Sequence, residues 1–210
     1  MMPISEILAL GPVVPVLTID DDATAVPLAR ALARGGLPAI EVTLRTRAAL
    51  SSIAAIAAEV PEAVVGAGTV LNRDHYQQAV AAGSRFIVSP GCTPDLIRFA
   101  ADSDVPFLPG AVTPSEVMTL AEAGYTHLKF FPAEPAGGTR LLSAFAAPLA
   151  DIRFCPTGGI SVEKAGDYLA LSNVVCIGGS WVAPPDAVAA QDWERIEGLA
   201  RAAAALRTGR

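Results

Sequence analysis

Residues 127–132 read His127-Leu128-Lys129-Phe130-Phe131-Pro132, and this stretch decides how the rest of the chain is interpreted. Apolar residues flank Lys129 and Pro132 ends the run, a pattern typical of a strand that is covered on both faces. Alternate residues of a strand share one face, so we expect His127, Lys129 and Phe131 to point together. The stretch therefore predicts a buried strand with a lysine inside it.

A buried lysine calls for a chemical explanation, because burial disfavours its charged ammonium form. The neutral amine is a nucleophile toward ketones, and an apolar environment increases the fraction of that form. Only two lysines occur in the chain, Lys129 and Lys164. Lys129 is therefore a candidate nucleophile. The alternatives are a side chain that reaches solvent from the strand end or one held in an ion pair.

Outward from this stretch, short apolar strands alternate with helices along the whole chain. The predicted strands are 13–17, 39–44, 63–66, 85–89, 106–108, the segment around Lys129, 153–156 and 174–177. A short helix capped by Ser5 precedes them, and the intervening helices are 22–34, 47–59, 74–82, 94–101, 114–123, 140–149 and 161–171, with a closing helix from Asp192. Such alternation indicates a single-domain α/β protein, a (β/α)8 TIM barrel over residues 1–210 with a short N-terminal helix. An open doubly wound sheet fits less well, since no glycine fingerprint follows the first strand.

Composition excludes several classes of function. The net charge of -6 disfavours a nucleic-acid partner, which would require a basic face. No apolar run approaches the ~18 residues that span a bilayer, so we expect a cytoplasmic protein without membrane contact. Charged residues form only 17% of the chain and hydrophobic residues 52%, which favours an oligomer. Three cysteines are too few for a disulfide framework, and Cys155 and Cys176 lie in apolar, strand-like runs.

Polar residues gather where the predicted strands end, which is where barrels carry their chemistry. Glu41, Thr43 and Arg45 alternate with Val42 and Leu44, so the three polar side chains should point into the barrel. A carboxylate and a guanidinium would then share one site. The alternative is a structural ion pair between them.

Glycine-rich segments follow several predicted strands. Residues 157–159 (Thr-Gly-Gly) and 178–180 (Gly-Gly-Ser) follow strands seven and eight, the loops with which barrels commonly bind phosphate through backbone N–H groups. Together they favour a phosphate site over plain turns. Residues 66–69 end the third strand with glycines that let a ligand approach the backbone closely, whereas residues 89–91 end the fourth strand in a pattern that any tight turn could show. Metal and Ser-His-Asp chemistry fit poorly, because the only histidines are His75, expected on the surface, and His127, and no Gly-x-Ser-x-Gly occurs.

Six segments together resemble the 2-keto-3-deoxy-6-phosphogluconate (KDPG) aldolase family, whose members often also act on 4-hydroxy-2-oxoglutarate. The segments are 40–46, 66–70, 89–91, 128–134, 154–161 and 176–181. The resemblance implies a class I aldolase, a carbon-carbon lyase of the Entner-Doudoroff pathway, that cleaves KDPG to pyruvate and glyceraldehyde 3-phosphate. It also implies a homotrimer without a metal or other cofactor.

The resemblance further implies a role for each residue of the site. Lys129 would be the Schiff-base lysine and Glu41 the acid/base. Arg45 and Thr69 would bind pyruvate, and Pro90 and Phe131 would form an apolar wall. The distal and phosphate site would consist of Thr157, Gly158, Gly159, Gly179 and Ser180.

Two departures from the family pattern concern distal recognition. Thr18 stands where many relatives carry arginine, and Ala111-Val112 replaces a more usual Ile-Ser or Ile-Thr pair. The sequence also leaves open the configuration at C4, and therefore the galactonate analogue, as well as the choice between phosphorylated and dicarboxylic substrates. The remaining alternatives are a phosphate-binding isomerase or synthase with Lys129 as an electrostatic anchor, and a non-catalytic sugar-phosphate sensor.

Overall fold

The computed structural model describes residues 2–206. Its strands are β1 (Val13–Leu17), β2 (Ala39–Thr43), β3 (Val64–Gly68), β4 (Ile87–Val88), β5 (Phe107–Leu108), β6 (Gly110–Ala111), β7 (His127–Phe130), β8 (Arg153–Pro156) and β9 (Ile177–Gly179). Its α-helices are α1 (Ile4–Leu8), α2 (Ala25–Arg34), α3 (Ala49–Glu59), α4 (Arg73–Ala81), α5 (Pro94–Ala101), α6 (Pro114–Glu122), α7 (Gly138–Phe145), α8 (Val162–Leu169), α9 (Pro185–Ala189) and α10 (Trp193–Ala204). A 3-10 turn over Asp22–Thr24 precedes α2.

Every strand pairing is parallel, and the strands form two hydrogen-bonded groups. The larger runs β5-β4-β3-β2-β1-β9 and the smaller β6-β7-β8. β5 and β6 are two halves of one strand, which is interrupted at Pro109. The Pro109 carbonyl accepts a hydrogen bond from the Lys129 backbone N–H at 2.9 Å. Bridges between Phe154 and Val174 and between Thr157 and Gly178 link the other edges. The predicted single-domain α/β class with a short leading helix is confirmed, and the strands of the predicted (β/α)8 barrel form a curled parallel sheet surrounded by helices.

Alternate strand residues pack into two separate clusters. Ile40, Val42 and Val65 belong to the large cluster between sheet and helices. Their neighbours Ala39 and Val64 belong to a smaller inner cluster. The other inner-cluster residues come from α1, from β1, β4, β5 and β8, and from the residues just before β4 and β9: Ile7, Leu8, Val14, Phe86, Val88, Leu108, Cys155 and Cys176. The strand register places Cys155 of this cluster beside Lys129, so the inner cluster extends to the level of the lysine.

The structure differs from the sequence-based predictions at several places. Ser5 lies inside α1, whose N-cap is Pro3. The last strand is Ile177–Gly179 rather than 174–177, because Val174 makes only an isolated bridge and the ladder with β1 starts at Ile177. β6 and α9 were not predicted: β6 has two residues and α9 has five, too short for a periodic pattern. Among residues 2–206 there is no helix with the length and apolar character that crossing a membrane requires.

Candidate active site

The centre of the site is an ion pair between side chains from two strands that are not neighbours. Lys129 Nζ, from β7, lies 2.9 Å from Glu41 Oε1 and 3.4 Å from Glu41 Oε2, from β2. The lysine side chain is 5% exposed and the glutamate 4%. Lys129 therefore does not reach bulk solvent from a strand end. The alternative prediction, a lysine held in an ion pair, is confirmed, and the partner of Lys129 is Glu41, the candidate acid/base.

Glycines on β3 make room for the Glu41 carboxylate. The register pairs Glu41 with Gly66 and Thr43 with Gly68. A Cβ at Gly68 would lie 2.1 Å from Glu41 Oε1, well inside van der Waals contact. The carboxylate therefore occupies the space above Gly68, and this contact helps to direct it toward Lys129.

Thr43 and Arg45, the other polar residues expected at this strand end, lie in different environments. The Thr43 hydroxyl is buried and donates to the Leu17 carbonyl at 2.8 Å, so Thr43 ties β2 to β1. Arg45 is exposed, and its Nε donates to Thr69 Oγ1 at 3.2 Å. Glu41 is thus not held by a structural ion pair with Arg45, because its salt-bridge partner is Lys129.

Thr69 has a backbone conformation that is unusual for its residue type. Its φ is +59°, in the left-handed region that β-branched residues rarely adopt. Such conformations persist where surrounding contacts hold them, and they are common at functional sites. The hydrogen bond from Arg45 is one such contact, so the two predicted pyruvate ligands contact each other.

An aromatic ring lies close to the lysine, and a proline packs on the strand next to it. The ring centroid of Phe131 lies 5.6 Å from Lys129 Nζ, and the Phe131–Pro132 peptide bond is cis. Pro90 is half-buried, and a Cβ at Gly110 would meet its carbonyl carbon at 2.3 Å. The β4–α5 loop therefore packs directly on β6, the neighbour of β7.

The glycine-rich segment after β8 and the one predicted to follow the last strand, whose two glycines instead lie within β9, are adjacent in space. Thr157 forms a bridge with Gly178, so the backbones of the two loops lie side by side. Gly158 and Gly159 have φ values of +106° and +79°, which only glycine adopts without strain. Ser180 is exposed, whereas Gly179 is buried against the Trp181 ring. This arrangement, which we call the distal loops (residues 157–159 and 178–180), lies at the same end of the sheet as Lys129.

A cavity of about 560 Å³ lies next to the distal loops, between the end of β1 and α9. Thr18 and Ser180 line it, together with residues that the sequence did not single out. The other lining residues are Val16, Leu17, Ile19, Asp20, Asp21, Thr24, Leu28, Ala183, Pro185, Val188, Ala189 and Gln191. The cavity itself could not be predicted, because α9 is too short for a periodic sequence pattern.

Other candidate reactive groups are less suited to chemistry. Burial raises the pKa of the Cys92 thiol to about 11, so it is protonated and weakly nucleophilic at neutral pH. Burial, followed by the positive charge of Arg153, lowers the pKa of His127. His75 is half-buried rather than on the surface, and its Nδ1 has no hydrogen-bond partner. Within the described part of the chain, no group of three or more His, Cys, Asp and Glu side chains could hold a metal ion.

The second lysine also pairs with a glutamate, in a contact that the sequence reading missed. Lys164 Nζ donates to Glu134 Oε2, and the Tyr168 hydroxyl donates to Glu134 Oε1. The hydrogen bonds from Lys164 and then Tyr168 lower the pKa of Glu134. Lys164 is 53% exposed, which leaves Lys129 as the buried lysine.

A parallel barrel-like sheet whose carboxyl end holds a buried lysine beside a carboxylate defines a class of protein built for amine chemistry on carbonyl compounds. The family model described as "Aldolase: KDPG and KHG aldolase" matches residues 4–199. The chain belongs to this family, as its sequence motifs predicted.

Known proteins similar to the chain agree with this assignment. It is 52% identical over 204 residues to the 2-dehydro-3-deoxy-phosphogluconate aldolase of Pseudoalteromonas atlantica, covering 97% of this chain and 95% of that protein. It is 51% identical over 198 residues to the KHG/KDPG aldolase of Escherichia coli K12, covering 94% and 93%. A crystal structure of KDPG aldolase from Legionella pneumophila, with pyruvate captured as a covalent carbinolamine intermediate, matches with a TM-score of 0.95 and 40% identity over 97% of this chain and 98% of that one.

Proposed function

We propose that this protein is a class I aldolase that cleaves KDPG to pyruvate and glyceraldehyde 3-phosphate through a Schiff base on Lys129. The observation that carries the proposal is the buried contact of 2.9 Å between Lys129 Nζ and Glu41 Oε1. A nucleophile and a proton acceptor within hydrogen-bond distance form the pair that covalent catalysis requires. The names of the relatives and the pyruvate adduct in the Legionella enzyme support the same chemistry.

The first half of the reaction joins the substrate to Lys129. Glu41 accepts a proton from the lysine, and the neutral amine attacks the C2 carbonyl to give a carbinolamine. Glu41 then returns the proton to the C2 hydroxyl, which leaves as water. The product is a protonated imine, whose positive nitrogen replaces the ammonium beside the Glu41 carboxylate. The charge of the buried pair is therefore the same before and after this step.

The second half breaks the carbon-carbon bond. Glu41, again a carboxylate, takes the proton of the C4 hydroxyl, and the electrons of the C3–C4 bond move into the imine to form an enamine. Glyceraldehyde 3-phosphate leaves. Protonation of the enamine at C3 restores the imine, and its hydrolysis releases pyruvate and the free lysine. Proton transfer by one positioned group contributes typically 10² to 10⁴-fold to such reactions, so about that loss in turnover is expected for Glu41→Gln.

The remaining site residues would hold the two ends of the substrate. Arg45 offers paired N–H groups that suit the C1 carboxylate, with Thr69 beside it. Phe131 and Pro90 would exclude water from the imine. The backbone N–H groups of the distal loops would bind the phosphate, as loops after the last two strands of barrels commonly do. No residue of this set requires a metal ion or an organic cofactor as a partner.

A trapping experiment tests the proposal directly. Incubation with pyruvate and borohydride should reduce the imine and add a stable adduct to Lys129, which peptide mass spectrometry would locate. An unmodified protein, or an adduct on Lys164, would contradict the assignment of the nucleophile. An unmodified protein that still bound sugar phosphates would favour the isomerase or the sensor.

A second substrate, 4-hydroxy-2-oxoglutarate (KHG), has support of its own, because both the family description and the E. coli relative name KHG as well as KDPG. We propose that 4-hydroxy-2-oxoglutarate is also cleaved, to pyruvate and glyoxylate. Turnover of KDPG, its C4 epimer and 4-hydroxy-2-oxoglutarate, each coupled to a pyruvate assay, would rank the substrates. Preference for the epimer would reassign the protein as the phosphogalactonate aldolase.

We further propose that residues 1–210 form one aldolase domain, that three copies assemble into a homotrimer and that the enzyme works in the cytoplasm in the Entner-Doudoroff pathway. Support for assembly comes from the low charge content and the high hydrophobic content of the chain. Light scattering of the purified protein measures the mass of the assembly, and a monomer at micromolar concentration would contradict the trimer.

A further inference from the structure

We propose that Glu134 is a positioning residue that holds the distal loop 157–159 in register with the lysine strand β7. The inference rests on the proposed function, because it concerns how the same site binds the phosphate end of its substrate. Glu134 contacts no reacting atom in the scheme above. It lies in the β7–α7 connection, five residues after Lys129.

Backbone hydrogen bonds first join the two segments. The Thr157 N–H donates to the Phe130 carbonyl at 2.9 Å, which continues the pairing of β7 with β8 beyond the strand ends. The Ala133 N–H donates to the Thr157 carbonyl at 2.8 Å, and the Glu134 N–H donates to the Gly158 carbonyl at 3.0 Å. Residues 130–134 therefore form a continuous support for residues 157–158.

The Glu134 side chain extends this support to the helix behind the loop. Its two carboxylate oxygens accept from Tyr168 and Lys164, both on α8, the helix that follows the distal loop. Tyr168 is 1% exposed, and burial, followed by Glu134, raises the pKa of its hydroxyl. A buried hydroxyl without an acceptor is unfavourable, so Tyr168 and Glu134 hold each other in place.

Packing then transmits the position of Glu134 to the glycines. A Cβ at Gly159 would lie 2.9 Å from the Glu134 Cβ and 3.1 Å from its Cγ, so the two residues are in close contact. A Cβ at Gly158 would lie 3.2 Å from the Phe131 ring. The two glycines thus rest on Phe131 and Glu134, and no side chain of their own restrains their left-handed conformations.

Loss of the Glu134 side chain should therefore loosen the distal loop while leaving the lysine pair intact. The nearest contacts of Lys129 are to Glu41 and Phe131 rather than to Glu134. Hydrogen bonds to a charged group contribute about 1.5–3 kcal/mol each, so poorer alignment of the loop N–H groups with the phosphate can weaken binding about ten- to hundredfold. The effect should be confined to substrates that carry a distal anion, and pyruvate carries none.

The experiment compares steady-state kinetics on KDPG with pyruvate trapping at Lys129 in the full-length protein. Glu134→Ala should raise KM for KDPG about ten- to hundredfold, with a smaller change in kcat and an unchanged rate of borohydride-trapped pyruvate adduct. Glu134→Gln keeps an oxygen that accepts from Tyr168 and should restore most of the affinity. Tyr168→Phe should raise KM in the same direction, by about threefold. Glu194→Ala, an exposed glutamate on α10, is the matched control.

Two results would overturn the inference. One is a KM for KDPG in Glu134→Ala that equals that of the control. The other is an equal loss of KDPG cleavage and pyruvate trapping, which would mean a general structural role. If Glu134→Ala does not fold, Tyr168→Phe decides in the same way, by whether KM changes without a change in trapping. Failure of the proposed function looks different, since the unmodified protein would then form no pyruvate adduct at all.

Discussion

The chain contains two lysine–glutamate ion pairs that differ mainly in their exposure to water. Lys129 and Glu41 are 5% and 4% exposed, whereas Lys164 and Glu134 are 53% and 26% exposed. The first pair joins two strands across the interior, and the second joins a loop to the first turn of α8. Water screens the second pair, while removal of either member of the first leaves a buried charge without a partner. Exposure, rather than pairing itself, therefore distinguishes the proposed nucleophile Lys129 from Lys164.

The largest difference expected between the two ion pairs is in their effect on catalysis. Lys129→Ala should lower kcat/KM for KDPG by at least about a thousandfold, because no other described lysine is buried in the sheet interior to replace it as nucleophile. Lys164→Ala should retain activity within about tenfold, since it removes only a screened contact of Glu134. A coupled pyruvate assay measures both. Comparable losses in the two variants would show that exposure does not distinguish the lysines.

A smaller difference is expected in thermodynamic stability. Glu41→Leu should lower the free energy of unfolding by about 3–5 kcal/mol, because it leaves a buried ammonium without its counter-charge. Lys164→Met should lower it by about 0–1 kcal/mol. Urea denaturation at neutral pH measures both values. The double variant Glu41→Leu/Lys129→Met is the control: it removes both charges and should recover most of the loss.

The smallest effect concerns His127, which shares β7 with Lys129 but lies beside Arg153 rather than a carboxylate. Burial and the Arg153 charge lower the pKa of His127, so the folded state binds a proton less readily than the unfolded state, where histidine titrates near about 6.5. Stability should therefore be retained above that pH and fall as pH decreases below it.

Unfolding measured between pH 7.5 and 5 in the parent and in His127→Gln isolates this contribution. The variant should show a shallower decrease in stability toward acid pH. Identical pH profiles would mean that the imidazole gains a proton in both states alike. The range stays above the window in which the lowered pKa of Glu134 would contribute, since carboxylate pairs lose their effect only near and below about pH 4.3.

Much of the fold could be predicted because each strand is a short apolar run with a strict alternation of faces. The boundaries predicted for β1, β8 and α5 match the structure, and Cys155 and Cys176 pack in the inner cluster as expected for core residues. The fifth strand position was harder to define. Pro109 interrupts it, and its second half, β6, is recognisable only by its pairing with β7.

The sequence singled out Lys129 and Glu41 as candidate site residues, but it could not predict the contact between them. Glu41 and Lys129 are 88 residues apart, and their distance depends on how the sheet curves, which no local pattern encodes. The partner of Arg45 could not be read for the same reason. Glu134, Lys164 and Tyr168 were missed because a loop glutamate next to a helix is a common surface feature, and only the fold shows that Tyr168 is buried beneath it.

Because Gly68 has no side chain, positions 41 and 68 depend on each other, although a mutational survey would treat them separately. A Cβ at position 68 and the Glu41 carboxylate would need the same volume, so a side chain larger than that of glycine at position 68 would displace the carboxylate. One added methyl group at position 68 would move the Glu41 carboxylate away from the Lys129 amine without changing the chemical nature of either group. Gly68→Ala therefore changes the distance between the two groups while both groups remain present.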